Sequence, residues 1–117
     1  MLAAAPFPRP AVTLPDTFLP DLRARLGALY GDRLVRVVLF GSYARGEATP
    51  ESDVDVLVVL REKRSAYDEA WALSEISSDL ISDYGLCTSF LPIDTATEQQ
   101  NWPVLLNVRE EGIPVEP

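Results

Sequence analysis

Gly41-Ser42-Tyr43-Ala44-Arg45-Gly46-Glu47-Ala48-Thr49-Pro50-Glu51-Ser52-Asp53-Val54-Asp55 joins two apolar runs, Leu34 to Phe40 and Val54 to Leu60. Both runs are rich in valine and leucine, so both are expected to be strands. The first is broken by Arg36; the second is apolar almost throughout, as a strand buried on both faces would be. Only a small-residue loop with Gly46 and Pro50 separates them, which predicts antiparallel neighbours. Glycine at the end of the first strand lets the backbone approach a ligand with no Cβ in the way. If Ser42 opens a short helical turn, its hydroxyl and the amides after it point outward.

Working outward, Phe18, Leu22, Leu26, Leu29 and Tyr30 recur at three- and four-residue steps. They predict a helix over about 17–30, with Asp16 as its N-cap and Gly31 as its end. Beyond the second strand, a helix is expected over roughly 65–83. Its buried stripe is read as Ala66, Ala70, Leu73, Ser77, Leu80 and Ile81, with Trp71 beside it in the core. Gly85 ends it, Leu86 to Ile93 is a third strand, a short helix follows between about 96 and 109, and Gly112 to Val115 adds an edge strand. A helical crossover of about twenty residues predicts that the second and third strands run parallel. The expected fold class is therefore α+β (an α/β layer), a small mixed sheet of three to four strands with helices packed against it. Five of the ten prolines fall within the first twenty residues, so residues 1–15 read as an extended proline-rich arm and 16–117 as a single domain.

Composition closes off several classes. A chain of 117 residues, 47% hydrophobic and 24% charged, is an ordinary globular mixture, and no apolar run approaches a membrane span. The net charge of −8 repels nucleic acid backbones, so direct nucleic acid binding is not expected; it suits metal cations or a basic protein. With no histidine, histidine acid/base chemistry and the usual zinc sites are out. The single cysteine, Cys87, has no internal disulfide partner, fits a reducing cytoplasmic setting, and is expected as a small buried hydrophobe.

Chemistry concentrates at the quoted stretch. Asp53 and Asp55, two apart on a strand, leave one face about 6.6 Å apart along it. Such a pair on an apolar strand is costly unless a cation neutralises it, and a hard, oxygen-ligated ion such as Mg²⁺ does so. Antiparallel pairing brings Ser42 beside both carboxylates. A phosphate seat at Gly41 and Ser42 then adjoins a metal seat at Asp53 and Asp55, as nucleotidyl transfer requires. Arg45 is placed either on phosphate or in a pair with Glu47 or Glu51, and Ser52 in a local turn hydrogen bond.

Gly-Ser, ten residues, then Asp-x-Asp, with Ala-Arg-Gly inside the loop and Ser before the first Asp, resembles the minimal nucleotidyltransferases of the DNA polymerase beta superfamily. The ending Asn107 to Pro114 (Asn-Val-Arg-Glu-Glu-Gly-Ile-Pro) is similar to the tail of many small members. The resemblance implies ATP as substrate and Mg²⁺ as the likeness to active members would have it. It also implies an antitoxin role beside a HEPN-type helical partner, acting by adenylylating a partner hydroxyl or by contact alone. Modification of a small-molecule hydroxyl is a third reading. Edge pairing at Gly112 to Val115 would allow a homodimer. One departure stands out. Active members resemble one another in a third carboxylate on the strand after the crossover helix, where this chain has Cys87 and Ser89. Asp94 falls about 16 Å too far along that strand. Asp83 would serve as a third ligand only if the turn at Tyr84-Gly85 folds it back.

Overall fold

The computed structural model describes residues 11–117. Residues 1–10 of the expected arm lie outside that range. Residues 11–15 run without helix or strand, and the Val12 N–H donates to the Ala48 carbonyl at 3.0 Å. In chain order the elements are α1 (Phe18–Tyr30), a 3₁₀ turn (Gly31–Arg33), β1 (Leu34–Phe40), α2 (Ser42–Arg45), β2 (Val54–Leu60), α3 (Ala66–Tyr84), β3 (Thr88–Asp94), α4 (Thr95–Glu98), α5 (Pro103–Glu111) and β4 (Ile113–Pro114). The fold is α+β: a four-stranded open sheet in the order β3-β2-β1-β4, with helices on both faces.

β1 pairs antiparallel with β2 and with β4, and β2 pairs parallel with β3, as the loop and crossover lengths require. β2 is central and almost wholly buried. Its alternation sends Val54, Val56, Val58 and Leu60 toward α1 and α3, where they meet Phe18, Leu22, Leu26, Leu73 and Leu80. Leu57 and Val59 face the other way, onto Leu105 and Val108 of α5. Asp55 shares that second face with Leu57, two residues on. The edge of the sheet that carries Asp55 is therefore the edge on which α5 ends. No helix among the described residues is long and apolar enough to cross a membrane.

Five expectations need correction. Thr17, not Asp16, is the N-cap of α1, and no side chain caps it. The expected helix over 96–109 is two helices, because Pro103 starts α5 and holds Trp102 extended at ψ 144°. The buried stripe of α3 is Glu69, Leu73, Ile76 and Leu80, while Ala66, Ala70 and Ile81 are exposed. The cause is Glu69, a buried carboxylate that accepts from Tyr30 Oη at 3.2 Å, Arg33 Nη2 at 2.9 Å and the Arg64 N–H at 3.0 Å. Fully partnered, it takes an inward position that hydrophobicity alone would deny it. The helix is rotated accordingly, and Trp71, expected in the core, is 65% exposed. Cys87, expected buried, is exposed in the short segment before β3.

Candidate active site

β1 ends at Phe40, opposite Asp55 in the antiparallel register. Gly41 then takes φ +75° and ψ −157°, a conformation that L side chains rarely adopt. A Cβ built there would overlap Asp55 Oδ2. Only glycine lets this backbone and that carboxylate approach so closely. Ser42 opens α2 as expected, and Gly46 at φ +72° closes it, its N–H directed at the Ser42 and Tyr43 carbonyls. Ser52 anchors the rest of the loop. Its Oγ accepts from the Thr49 N–H at 2.9 Å, and its own N–H donates to the Thr49 carbonyl at 2.9 Å.

The structure brings Gly41, Ser42, Asp53 and Asp55 to one edge. Asp53 precedes β2 rather than lying within it, and it is exposed where Asp55 is half-buried. Burial, first, and the neighbouring Asp53 carboxylate, second, raise the pKa of Asp55; Arg45 opposes the shift and Glu111 adds to it. A carboxylate that is costly to ionise where it stands is relieved by a cation. Asp53 and Asp55 therefore fit Mg²⁺, which takes one or two protein carboxylates and completes its shell with water and phosphate.

Arg45 resolves its two alternatives in an unexpected way. Its Nε donates to Glu47 at 2.7 Å, and its Nη1 donates to Glu111 Oε2 at 3.0 Å. Glu111 also accepts from the Gly41 N–H at 3.3 Å. Sequence reasoning missed this residue, because its place depends on how β4 pairs with β1. The β1–β4 register pairs Leu39 with Ile113, and continued two residues it sets Gly41 opposite Glu111.

Asp83 does not reach the site. Its carboxylate accepts from Arg25 Nη2 at 2.6 Å, on the side of α3 that meets α1. In the parallel register Asp55 stands beside Ser89, so a hydroxyl occupies the position where a third carboxylate was sought. Asp94 lies beside Leu60 at the far end and caps α4, accepting from the Thr97 N–H at 2.7 Å. Among the described residues, no three acidic, histidine or cysteine side chains gather closely enough to hold a metal ion.

A glycine-serine turn that opens a short helix against a paired-aspartate strand, within a mixed sheet, defines a nucleotidyltransferase architecture. Residues 19–114 match the family model described as "Nucleotidyltransferase domain", and the chain belongs to that family. It is 33% identical over 99 residues, 74% of this chain and 83% of the relative, to "Putative protein adenylyltransferase MJ0604" of Methanocaldococcus jannaschii. It is 41% identical over 72 residues, 61% of this chain and 46% of the relative, to "Putative protein adenylyltransferase MJ1305" of the same organism. Among solved structures it resembles one described as "Structure of putative minimal nucleotidyltransferase", with a TM-score of 0.57 and 29% identity over 85% of this chain and 93% of that one. A "Crystal structure of the toxin-antitoxin with AMP-PNP" shares the fold, with a TM-score of 0.59 and 21% identity over 82% of this chain and 71% of that one.

Proposed function

We propose that this protein transfers AMP from Mg-ATP to a hydroxyl on a partner protein. The observation that carries the reading is the close approach of the Gly41 turn to Asp55, which would set a phosphate seat directly against a metal seat. Gly41 and Ser42 would cradle phosphate oxygens, with Arg45 beside them, while Asp53 and Asp55 would hold Mg²⁺. Bound there, the ion supplies compensation for the triphosphate's charge. The acceptor hydroxyl would form a bond to the α-phosphorus as the bond to pyrophosphate breaks, and its proton would leave with solvent or a group on the partner. The description of its relatives as protein adenylyltransferases supports a protein acceptor.

The surface supports a basic partner, such as a helical toxin of the HEPN type. α3 carries Asp68, Glu75, Asp79 and Asp83 exposed and has no basic residue at all. The rings of Tyr67 and Trp71 stand out from the same helix, 71% and 65% exposed, as anchors for such a contact.

A second reading, neutralisation of the partner by contact alone, is favoured by Ser89, which leaves Asp55 without an acidic neighbour on β3. Calorimetric titration of Mg-ATP into the wild type and into Asp53→Ala/Asp55→Ala, with mass spectrometry of the protein encoded next door, separates the two. Metal-dependent binding lost in the double variant, with one or more AMP units gained by the partner, is the expected result. A partner that binds without gaining AMP would establish the contact reading.

A further inference from the structure

Two donors at the edge of the site converge on a single side chain of this protein. The Gly41 N–H and the Arg45 guanidinium both donate to the Glu111 carboxylate, at 3.3 Å and at 3.0 Å. We propose that Glu111 is an internal occupant of the phosphate seat, displaced when a nucleotide phosphate takes the same donors. The inference rests on the reading of Gly41 and Arg45 as phosphate donors.

The contact is built into the backbone. Glu111 is the last residue of α5, followed at once by Gly112. A Cβ on Gly112 would overlap the Val108 carbonyl and lie 2.7 Å from Val38 Cγ1, so this junction is pressed onto β1 as closely as a chain allows. Beyond it the Val115 N–H donates to the Val37 carbonyl at 2.8 Å. The Glu111 side chain is only 17% exposed, against 64% for Glu47, the other carboxylate on Arg45. A carboxylate offers planar, negatively charged acceptor oxygens at the spacing of phosphate oxygens, and guanidinium and amide donors accept either. They cannot serve both fully at once. The surroundings favour release, because Asp55, Glu47 and Glu111 share the one guanidinium of Arg45. Glu111 therefore keeps the donors aligned and screens them from adventitious anions, while Mg-ATP brings its own cation and displaces it. The carboxylate so freed lies between α5 and β4, which makes the C-terminal edge of the sheet sensitive to nucleotide.

Calorimetry of Mg-ATP with wild type, Glu111→Gln, Glu47→Gln and Arg45→Ala tests this, together with the ¹⁵N-resolved resonance of the Gly41 amide. Glu111→Gln should bind about threefold or more tightly than wild type, since the charged competitor is gone, and Glu47→Gln should gain much less. The Gly41 resonance should differ between wild type and Glu111→Gln before titration and converge at saturation. Weaker or unchanged binding by Glu111→Gln, or saturated resonances that stay apart, would show Glu111 retained as a positioning residue and overturn the proposal. An equal gain in Glu47→Gln would reduce the effect to charge at a distance and overturn it too. No binding in any of the four proteins would remove the nucleotide reading itself, a different failure from the other two.

Discussion

β2 stands between two strands that treat Asp55 differently. On one side β1 sets Phe40 opposite it and then turns through Gly41 into α2, so that the Gly41 backbone crowds the carboxylate and the charge of Arg45 acts on it. On the other side β3 sets Ser89 beside it, and the acid of that strand, Asp94, lies at the far end beside Leu60. On the proposed reading, the nucleotide half of the site would be assembled by this chain and the acceptor half left for whatever docks there. Gripping a nucleotide and transferring it are separable properties in such an arrangement, and each can be changed without the other.

The harshest way to break the comparison is on the built side. Asp53→Asn/Asp55→Asn should reduce transfer to a partner by about 100-fold or more and abolish metal-dependent ATP binding, as removal of metal ligands does. Its melting temperature should not fall, because the half-buried Asp55 charge is itself a cost. Transfer retained within about tenfold, measured by labelled AMP incorporation, would mean that the two aspartates do not define this half. Gly41→Ala comes next. A Cβ at φ +75° that overlaps Asp55 Oδ2 should cost about 1–3 kcal/mol in a denaturant titration and spoil ATP binding with it. An unchanged midpoint would show that the turn has room to relax.

The other half is sharpened by adding rather than removing. Ser89→Asp restores a carboxylate beside Asp55 in the parallel register, on an exposed position where it does not perturb the core. If the acceptor half lacks only an acid, the variant should bind Mg²⁺ more tightly and transfer AMP about tenfold faster. A slower variant would indicate that the partner's own side chain needs that space.

What could be read ahead of the structure follows the same division. The proposed nucleotide half is written in fifteen consecutive residues, where a glycine, a serine and two alternate aspartates carry their geometry in their spacing. The pairing directions of β1, β2 and β3 followed from loop and crossover lengths, and the place of Ser89 followed from parallel pairing alone. Interactions across the fold were not legible. Glu111 reaches Gly41 only because a two-residue β4 pairs with β1, and Glu69 is buried only because Tyr30, Arg33 and Arg64 converge on it. Each is a polar side chain whose burial depends on partners distant in sequence, so hydrophobic periodicity placed the stripe of α3 too far round and sent Trp71 inward. The two-helix break at Pro103 was missed although its signal is local, since proline fixes its own φ and disfavours helix in the residue before it.

The smallest predicted effect concerns the carboxylate that sequence offered as the missing acid. Asp83 is held by Arg25, which also grips Asp21 at 2.9 Å, and Tyr84 Oη donates to Asp21 at 2.8 Å. These are partly exposed groups joining α3 to α1, so Asp83→Asn should leave transfer unchanged and cost no more than about 1 kcal/mol of stability. The pH dependence distinguishes this cluster from the site. Arg25, first, and Tyr84, second, hold the Asp21 carboxyl below the usual carboxylate range. A depressed folded-state pKa adds stability that is present above the unfolded value and is lost as pH falls through the folded one. Asp55 works in the opposite sense: its raised pKa means that folding favours its protonated form, so the cost of its charge is relieved as pH falls. Melting curves taken from about pH 7 down to about pH 3 should therefore decline less steeply for Asp21→Asn than for wild type, and more steeply for Asp55→Asn. Parallel slopes for all three proteins would show that neither carboxylate is tied to the fold in the way its neighbours imply.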